Sequence, residues 1–215
     1  MVAARIVSVN TGRVSGLGIL GRPDFASGIN KHPHQGAVRV GKLGLAGDEH
    51  GDTENHGGPD QAVYAYARED LDWWTERLGR ELRSGEFGEN VTTAGIDITT
   101  ALIGETWRVG DVVVQITSPR IPCETFKAWT GEDQWVRRFA AAGRPGAYLR
   151  VLTEGQISAG DDIEVLSRPV QRVTVAQSML AYYGDEDLMR ALLTVPGRGA
   201  KWKAIATRVL SRTAV

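Results

Sequence analysis

The stretch from Trp107 to Thr117 reads WRVGDVVVQIT, and its pattern indicates the fold class. Apolar and β-branched residues flank a Gly-Asp pair, which is typical of two antiparallel strands joined by a tight turn. A similar phrase, AGDDIEVL, recurs at residues 159–166, and further strand-like runs occupy residues 5–9, 37–45 and 61–67. Short strands with Gly-Asp turns predict a mainly β fold, built as a closed or nearly closed barrel with a few flanking helices.

Apolar residues at helical spacing predict helices at 69–83 and 132–142. After Pro169 the pattern changes to three helical phrases, at residues 175–183, 186–193 and 201–210. We therefore predict two domains, a β-barrel over residues 1–168 and a three-helix domain over residues 169–215. A unit of about 45 residues is too small to be comfortably stable alone, so it should pack on the barrel or on a second subunit in a homodimer.

The composition limits the classes of partner. The 215 residues carry a net charge of −1, so no overall field attracts nucleic acid or an anionic membrane. No apolar run reaches the length needed to span a bilayer, and the start lacks the apolar core of a secretory signal. A single cysteine excludes an intramolecular disulfide. We expect a cytoplasmic protein that binds neither nucleic acid nor membrane.

Residues 16–21, GLGILG, match the dinucleotide-binding pattern G-x-G-x-x-G. That pattern requires a strand before it and a helix after it, so that backbone amides meet the pyrophosphate. Here Arg22 and Pro23 follow at once, and Gly28 interrupts the next stretch before a helix develops. We interpret the segment as a glycine-rich loop, and the chain shows no flavin or nicotinamide site.

The segment 44–63 is dense in polar groups. Two interpretations remain open: oxygen and imidazole ligands for a hydrolytic metal ion, or an ordinary exposed loop with several glycines. Because the spacing matches no specific zinc or calcium pattern, the residues alone favour the loop. The polar residues concerned are Asp48, His50, Asp52, Glu54, His56 and Asp60.

Cys123 follows the run SPRIP at residues 118–122. Its two prolines exclude a regular helix and predict a rigid loop after the preceding strand. Arg120 and Lys127 would favour the thiolate, which is the nucleophile and the soft metal ligand. The alternative is a buried cysteine that serves as a small apolar residue.

Several separated motifs together resemble the MOSC family, the domain also found at the C-terminal end of molybdenum cofactor sulfurases. The resemblance covers residues 5–167, and the helical tail resembles the subset with a C-terminal three-helix domain. That subset includes a bacterial protein conferring resistance to 6-hydroxylaminopurine. The motifs are GINK at 28–31, GLAGD at 44–48, HGGPDQAV at 56–63, FGENVTT at 87–93 and PRIPC at 119–123.

The resemblance implies a β-barrel with a cleft that holds the molybdenum cofactor (molybdopterin), or a persulfide sulfur, at the motif cysteine. By position this metal ligand is Cys123. Lys31 and Arg120 are suited to the phosphate and anionic groups of the cofactor. His56, Gly57, Gly58 and Asn90 would supply hydrogen bonds to the pterin. His32 and His34, beside Lys31, are expected at the surface.

The leading hypothesis is a molybdenum oxidoreductase that reduces N-hydroxylated small molecules, such as 6-hydroxylaminopurine, to amines. A separate reductase would supply electrons, and the protons would come from water or from a nearby acid, for which His56 and Asp60 are the candidates. One alternative is a sulfur carrier that accepts a persulfide on Cys123, in sulfur transfer linked to pyridoxal phosphate. Others are a non-catalytic cofactor-binding module and, more distantly, a divalent-metal hydrolase that uses Asp48, His50 and His56.

Overall fold

The computed structural model describes residues 3–16, 26–51 and 57–211 of the chain. The first strands are β1 (Arg5–Thr11), β2 (Ser15–Gly16), β3 (Ala26–Ser27), β4 (His32–Pro33), β5 (Val38–Gly41), β6 (Gly44–Leu45) and β7 (Val63–Ala67). They are followed by β8 (Val91–Ala94), β9 (Thr106–Val109), β10 (Val112–Pro119), β11 (Ala147–Thr153), β12 (Gly155–Ile157) and β13 (Ile163–Ser167). The helices are α1 (Arg68–Leu78), α2 (Glu124–Thr130), α3 (Trp135–Ala142), α4 (Val175–Tyr183), α5 (Glu186–Leu193) and α6 (Trp202–Leu210), with a 3-10 turn at Pro59–Gln61.

Eight strands form the main sheet, in the order β13-β9-β10-β11-β7-β8-β1-β4. Their pairs are antiparallel except for β7 and β8, which run parallel. The predicted hairpin at 107–117 is confirmed: β9 and β10 pair from Val109 opposite Val112, across a turn at Gly110. Gly110 has a φ of 54°, a left-handed conformation that favours glycine.

The β-rich core is confirmed, whereas the barrel is confirmed only in part: no closed barrel is found among the described residues, because the order of strands ends at β13 and β4. Between these ends the backbone forms only an isolated bridge from Arg5 to Asp162, supported by bonds such as Ile6 N–H to the Asp161 carbonyl at 2.8 Å. The partner strand β4 pairs with the end of β1, at Asn10 and Thr11. To close the sheet, β13 would have to pair along the free edge of β1. That edge instead pairs with β4 at one end and with residues 160–162 at the other.

The helix predicted at 69–83 is shorter in the structure and stops at Leu78. Gly79 follows with a φ of 65° and ends the helix with a left-handed residue. Leu82 lies beyond the helix, but its side chain is still fully buried. The second predicted helix is confirmed as α3, which ends at Gly143 in the same conformation.

The three C-terminal helices form as predicted, and α4 begins with a capping box between Thr174 and Gln177. They pack on the sheet, since Trp202 and Val175 belong to the same hydrophobic cluster as Trp107 of β9. We call residues 169–211 the C-terminal helical segment. Because this cluster runs through both parts of the chain, the division into two domains stays a prediction.

A second hydrophobic cluster lies beside the first and consists mainly of aromatic rings. Its rings meet in edge-on and stacked contacts, for example Phe87 with Phe126 at 5.2 Å between ring centres. This cluster joins β7 to helices α1, α2 and α3. Its rings are Tyr64, Tyr66, Trp74, Phe87, Phe126, Trp135 and Phe139. Among the described residues, no helix has the length and apolar character to cross a membrane.

Candidate active site

An open cleft lies between residues 26–31, residues 49–51, the turn that follows Gly57 and the start of α2. We call it the Cys123 cleft, and it encloses about 670 Å³, including the space open to solvent. Five of the residues that the sequence predicted for the site line it together: Lys31, Gly57, Asn90, Arg120 and Cys123. Segments that are far apart in the sequence therefore converge here, as the motifs predicted.

Cys123 is the residue immediately before α2 and has an extended backbone, with φ −129° and ψ 173°. Its side chain is partly exposed and lines the cleft. The Lys127 ammonium pairs with Glu124 at 3.2 Å, and its predicted assistance to the thiolate stays a prediction. The Arg120 guanidinium interacts electrostatically with the thiol. A partly exposed thiol beside a cation is the setting in which a cysteine is reactive.

Arg120 lines the same cleft, although it is only 6% exposed. Its guanidinium lies 3.9 Å above the Phe126 ring and donates a hydrogen bond to the Phe87 carbonyl oxygen. Within the described residues, Arg120 forms no ion pair with a carboxylate. A buried cation without an anionic partner is unfavourable, so this position is suited to an anionic group of a ligand.

Lys31 has a different electrostatic setting, because its ammonium forms an ion pair with the Asp48 carboxylate. Burial lowers the pKa of Lys31 from its ordinary value of 10.5, and the neighbouring Asp48 opposes that shift. The charge of Lys31 is largely balanced within the protein. Of the two predicted phosphate partners, Arg120 is therefore the stronger site for an anion.

Asn90 lines the cleft, but its amide is engaged by the protein. Its Nδ2 donates to Asp48 at 2.8 Å, and its Oδ1 accepts from the Tyr64 backbone N–H at 3.0 Å. These bonds tie β7 to the loop that carries Asp48. The predicted hydrogen bond from Asn90 to the pterin stays a prediction, and the structure shows a positioning role in addition.

Two glycines of the cleft explain part of the motif pattern. A Cβ atom at Gly28 would clash with the Glu49 carbonyl oxygen, so only glycine allows these two segments to approach. Gly57 has a φ of 79° and lies beside the His50 ring. Gly58, also predicted for the site, lines a neighbouring cleft instead.

The predicted proton donors are not both placed at Cys123. His56 lies outside the described residues. Asp60 lines the neighbouring cleft, where its carboxylate accepts from Arg150 at 2.6 Å and from the Ala200 backbone N–H at 2.6 Å. His32 and His34 are exposed, in agreement with the expectation that they are surface residues.

The hydrolytic metal site receives no support from the described part of the chain, where no group of three His, Cys, Asp or Glu residues could hold a metal ion. Asp48 is bonded to Lys31 and Asn90. Asp52, Glu54 and His56 lie outside the described residues, as does most of the glycine-rich stretch 16–21.

Comparison with known proteins identifies the family. The family profile of the MOSC domain matches residues 52–164. The chain belongs to the MOSC domain family. The profile includes the segment with Gly57 and Gly58, the Asn90 segment and the loop with Cys123, which the structure brings to one cleft.

The relatives of this MOSC protein align with 79–96% of the chain. The uncharacterized protein YflK of Bacillus subtilis is 34% identical over 93% of this chain and 91% of its own length. A protein of Gibberella moniliformis named Reductase is 32% identical over 79% of this chain, which corresponds to 30% of the fungal protein. The crystal structure of YiiM from Geobacillus stearothermophilus superposes with a TM-score of 0.80, 28% identity and coverage of 96% of this chain and 99% of that one. The last match includes the C-terminal helical segment.

Sequence reasoning missed two polar residues of this MOSC site, Tyr148 and Gln61, which line both the Cys123 cleft and its neighbour. Burial raises the pKa of the Tyr148 hydroxyl from its ordinary value of 10.0, so it is a neutral phenol at physiological pH. Gln61 lies inside the HGGPDQAV motif at residues 56–63, and this position could have identified it as a site residue. No local pattern distinguishes Tyr148, because β11 brings it to the site from far along the chain.

The residues present fit the molybdenum cofactor with which MOSC domains are associated. A thiol is a soft ligand, suitable for a metal that already carries sulfur donors. The buried Arg120 guanidinium is suited to a phosphate group. The buried Gln61 Oε1 has no hydrogen-bond partner in the described part of the chain.

Proposed function

We propose that this MOSC protein is an oxidoreductase that binds the molybdenum cofactor and reduces N-hydroxylated bases, such as 6-hydroxylaminopurine, to amines. Electrons come from a separate reductase. The observation that carries the proposal is the convergence of Cys123 and the buried Arg120 in one open cleft. The Cys123 thiol is a soft ligand suited to the metal, and the Arg120 guanidinium is suited to the phosphate. These are the two chemically different ends of a metal-pterin phosphate.

Support for reduction as the reaction class comes from the similarity to the fungal protein named Reductase. The choice of N-hydroxylated bases as substrates comes from the helical tail. It resembles the MOSC subset that includes a protein conferring resistance to 6-hydroxylaminopurine. The overall reaction consumes two electrons and two protons, breaks the N–O bond and releases an amine and water. When bound, the cofactor supplies a metal centre that transfers the two electrons.

The residues of the chain have separate tasks in this proposal. Cys123 Sγ would be the protein ligand of the metal, and the Arg120 guanidinium would hold the phosphate. The Tyr148 hydroxyl holds a proton at the junction of the two clefts, because its raised pKa keeps it protonated. His56 and Asp60 remain the proton donors predicted from the sequence. Asp60 additionally forms the ion pair with Arg150.

The experiment that tests the proposal measures molybdenum and pterin in protein purified from cofactor-producing cells. We expect near-stoichiometric molybdenum in the wild type and its loss in Cys123→Ala. Cys123→Ser is the matched variant, since it keeps the size of the side chain but removes the soft ligand. Turnover of 6-hydroxylaminopurine with a reductase is then measured on the loaded wild type.

Absence of molybdenum and pterin from the wild type would contradict the proposal, provided that a control molybdoenzyme from the same cells is loaded. A persulfide on Cys123 in that metal-free protein, detected as a mass increase of one sulfur atom, would identify a sulfur carrier instead. The partly exposed thiol beside Arg120 is suited to this second function as well. Bound pterin without turnover would indicate a non-catalytic module.

A further inference from the structure

A second cleft adjoins the Cys123 cleft, and we call it the Trp202 cleft. It lies between the turn at residues 57–61, residues 118–121 and residues 199–205 at the start of α6. It encloses about 1080 Å³, including the space open to solvent. Gly57, Gln61 and Tyr148 line both clefts. A molecule in the Trp202 cleft is therefore adjacent to the region of Cys123.

The lining of the Trp202 cleft is mainly apolar, and its charged residues are Asp60 and Lys201. Pro59 is exposed at the cleft and Ile205 adds a half-buried aliphatic side chain, while the buried Pro119 and Trp202 form the wall behind them. The Asp60 carboxylate is bonded to Arg150 and to the Ala200 backbone N–H, so its charge is already balanced. Apolar clefts with few polar groups are typical sites for planar organic molecules.

Gln61 lines both clefts and carries a buried hydrogen-bond acceptor. Its Oε1 is buried and accepts no hydrogen bond within the described part of the chain. A buried acceptor without a donor is unfavourable, because it has lost its hydrogen bond to water. A ligand that donates an N–H group to Gln61 removes this penalty, and a base with an exocyclic or ring N–H provides such a donor.

The C-terminal helical segment is fixed to the sheet at this cleft. The Gly199 backbone N–H donates to the Thr117 carbonyl oxygen at 3.0 Å, and the Trp202 indole N–H donates to the same oxygen at 3.3 Å. These bonds hold the start of α6 against the end of β10. The segment thus forms one side of the cleft.

We infer that the Trp202 cleft binds the planar base of the substrate, with Gln61 Oε1 accepting a hydrogen bond from a base N–H. The N-hydroxyl group then points past Tyr148 into the Cys123 cleft. This assigns the C-terminal helical segment a role in substrate selection. The chemistry rests on the proposed function, whereas binding of the base is measurable without turnover.

The test uses cofactor-loaded protein and isothermal titration with 6-hydroxylaminopurine. Ala200→Phe fills the cleft from an exposed position, and its backbone N–H still reaches Asp60. Ala204→Phe is the matched control, because Ala204 is exposed in α6, four residues further along the chain, but outside the lining of the cleft. We expect Ala200→Phe to weaken binding of the base by about tenfold or more, as steric exclusion from an apolar pocket does. Ala204→Phe should bind like the wild type.

A kinetic readout separates selection of the base from general damage. In Ala200→Phe, the ratio of kcat/KM for 6-hydroxylaminopurine to that for hydroxylamine should fall by about the same factor, since hydroxylamine has no ring to accommodate. Gln61→Met provides a second variant that removes the acceptor without filling the cleft, and it should also weaken binding of the base.

Equal affinity for the base in wild type, Ala200→Phe and Gln61→Met would overturn the inference, as would a wild type that binds no base. The proposed function fails differently. A wild type that binds the base but does not reduce it would contradict the reductase activity and leave the binding site in place.

Discussion

Arg120 keeps a full positive charge inside the protein, although a buried cation usually has a carboxylate partner. Its guanidinium is stacked on Phe126 and bonded to a backbone oxygen, and it forms no ion pair with the described residues. Lys31 lines the same cleft, but its ammonium is paired with the Asp48 carboxylate. Arg120 and Lys31 carry the same formal charge, but Arg120 should attract an anion more strongly. The reason is that Lys31 has a carboxylate partner and Arg120 has none among the described residues.

At the residue scale we expect Arg120→Met to separate stability from ligand binding. Removing a buried charge that has no carboxylate partner should leave the melting temperature of the cofactor-free protein unchanged or raise it, because apolar replacement of buried charges is often neutral or stabilising. Pterin retained on purification should fall by about tenfold or more, since a charge-assisted bond contributes roughly 1.5–3 kcal/mol. Thermal melts and pterin fluorescence measure the two effects.

Arg120→Lys is the control for the charge alone, because lysine lacks the planar fork. A large drop in melting temperature in Arg120→Met, with pterin content intact, would show that Arg120 is a structural cation rather than a ligand-binding one.

At the scale of elements, the 3-10 turn Pro59–Gln61 joins three parts of the molecule. Asp60 in this turn accepts hydrogen bonds from Arg150 of β11 and from the Ala200 backbone N–H before α6. Its own backbone carbonyl accepts from the Thr117 hydroxyl at 2.5 Å. The turn therefore positions Gly57 and Gln61 relative to both clefts, and Asp60 has a positioning task that its place in the motif did not reveal.

Asp60→Asn tests whether this residue positions the turn or also donates a proton. If Asp60 only positions the turn, the free energy of unfolding of the variant should fall by about 1–3 kcal/mol. Asparagine keeps one acceptor but loses the charged pair with Arg150. The loaded variant should then keep its turnover within a few-fold. A proton donor would instead lose about 100-fold or more in kcat.

Urea denaturation and steady-state kinetics on the same preparation distinguish these results. Arg150→Met is the matched variant, since it breaks the same pair from the other side without altering Asp60. If Asp60→Asn loses turnover and Arg150→Met does not, the catalytic prediction for Asp60 is supported.

At the scale of the whole molecule, the sheet and the C-terminal helical segment share one hydrophobic cluster. Trp202 is fully buried in it and bonds to the backbone of β10. A shared core favours a single cooperative unfolding transition, in contrast to the two domains that the change in composition after Pro169 predicted.

Trp202→Ala should therefore destabilise the whole chain by about 3–5 kcal/mol, the range observed when a large buried aromatic residue is truncated. Circular dichroism at 222 nm and tryptophan fluorescence should report the same lowered midpoint. Ala204→Phe, on the exposed side of the same helix, should leave the midpoint unchanged. Two separate transitions in the wild type would contradict a shared core and support the division at residue 168.

The sequence by itself predicted most local elements and the candidate residues of the site. Alternating apolar residues and the Gly-Asp turn at 107–117 were enough for β9 and β10, since both signals act over a few neighbouring residues. The motifs likewise identified Lys31, Gly57, Asn90, Arg120 and Cys123, which the structure brings to one cleft. Helix ends were less predictable, because the end of α1 depends on one left-handed glycine, Gly79.

Only the tertiary structure decided the properties that depend on contacts between distant segments. These include the open sheet, where β4 occupies part of the edge of β1, and the pairing of Lys31 with Asp48. They also include the Trp202 cleft, which β10, the 3-10 turn and α6 form together. Charge balance, burial and cleft shape arise from packing between residues far apart in the chain, and local sequence patterns carry no information about which distant partners will meet.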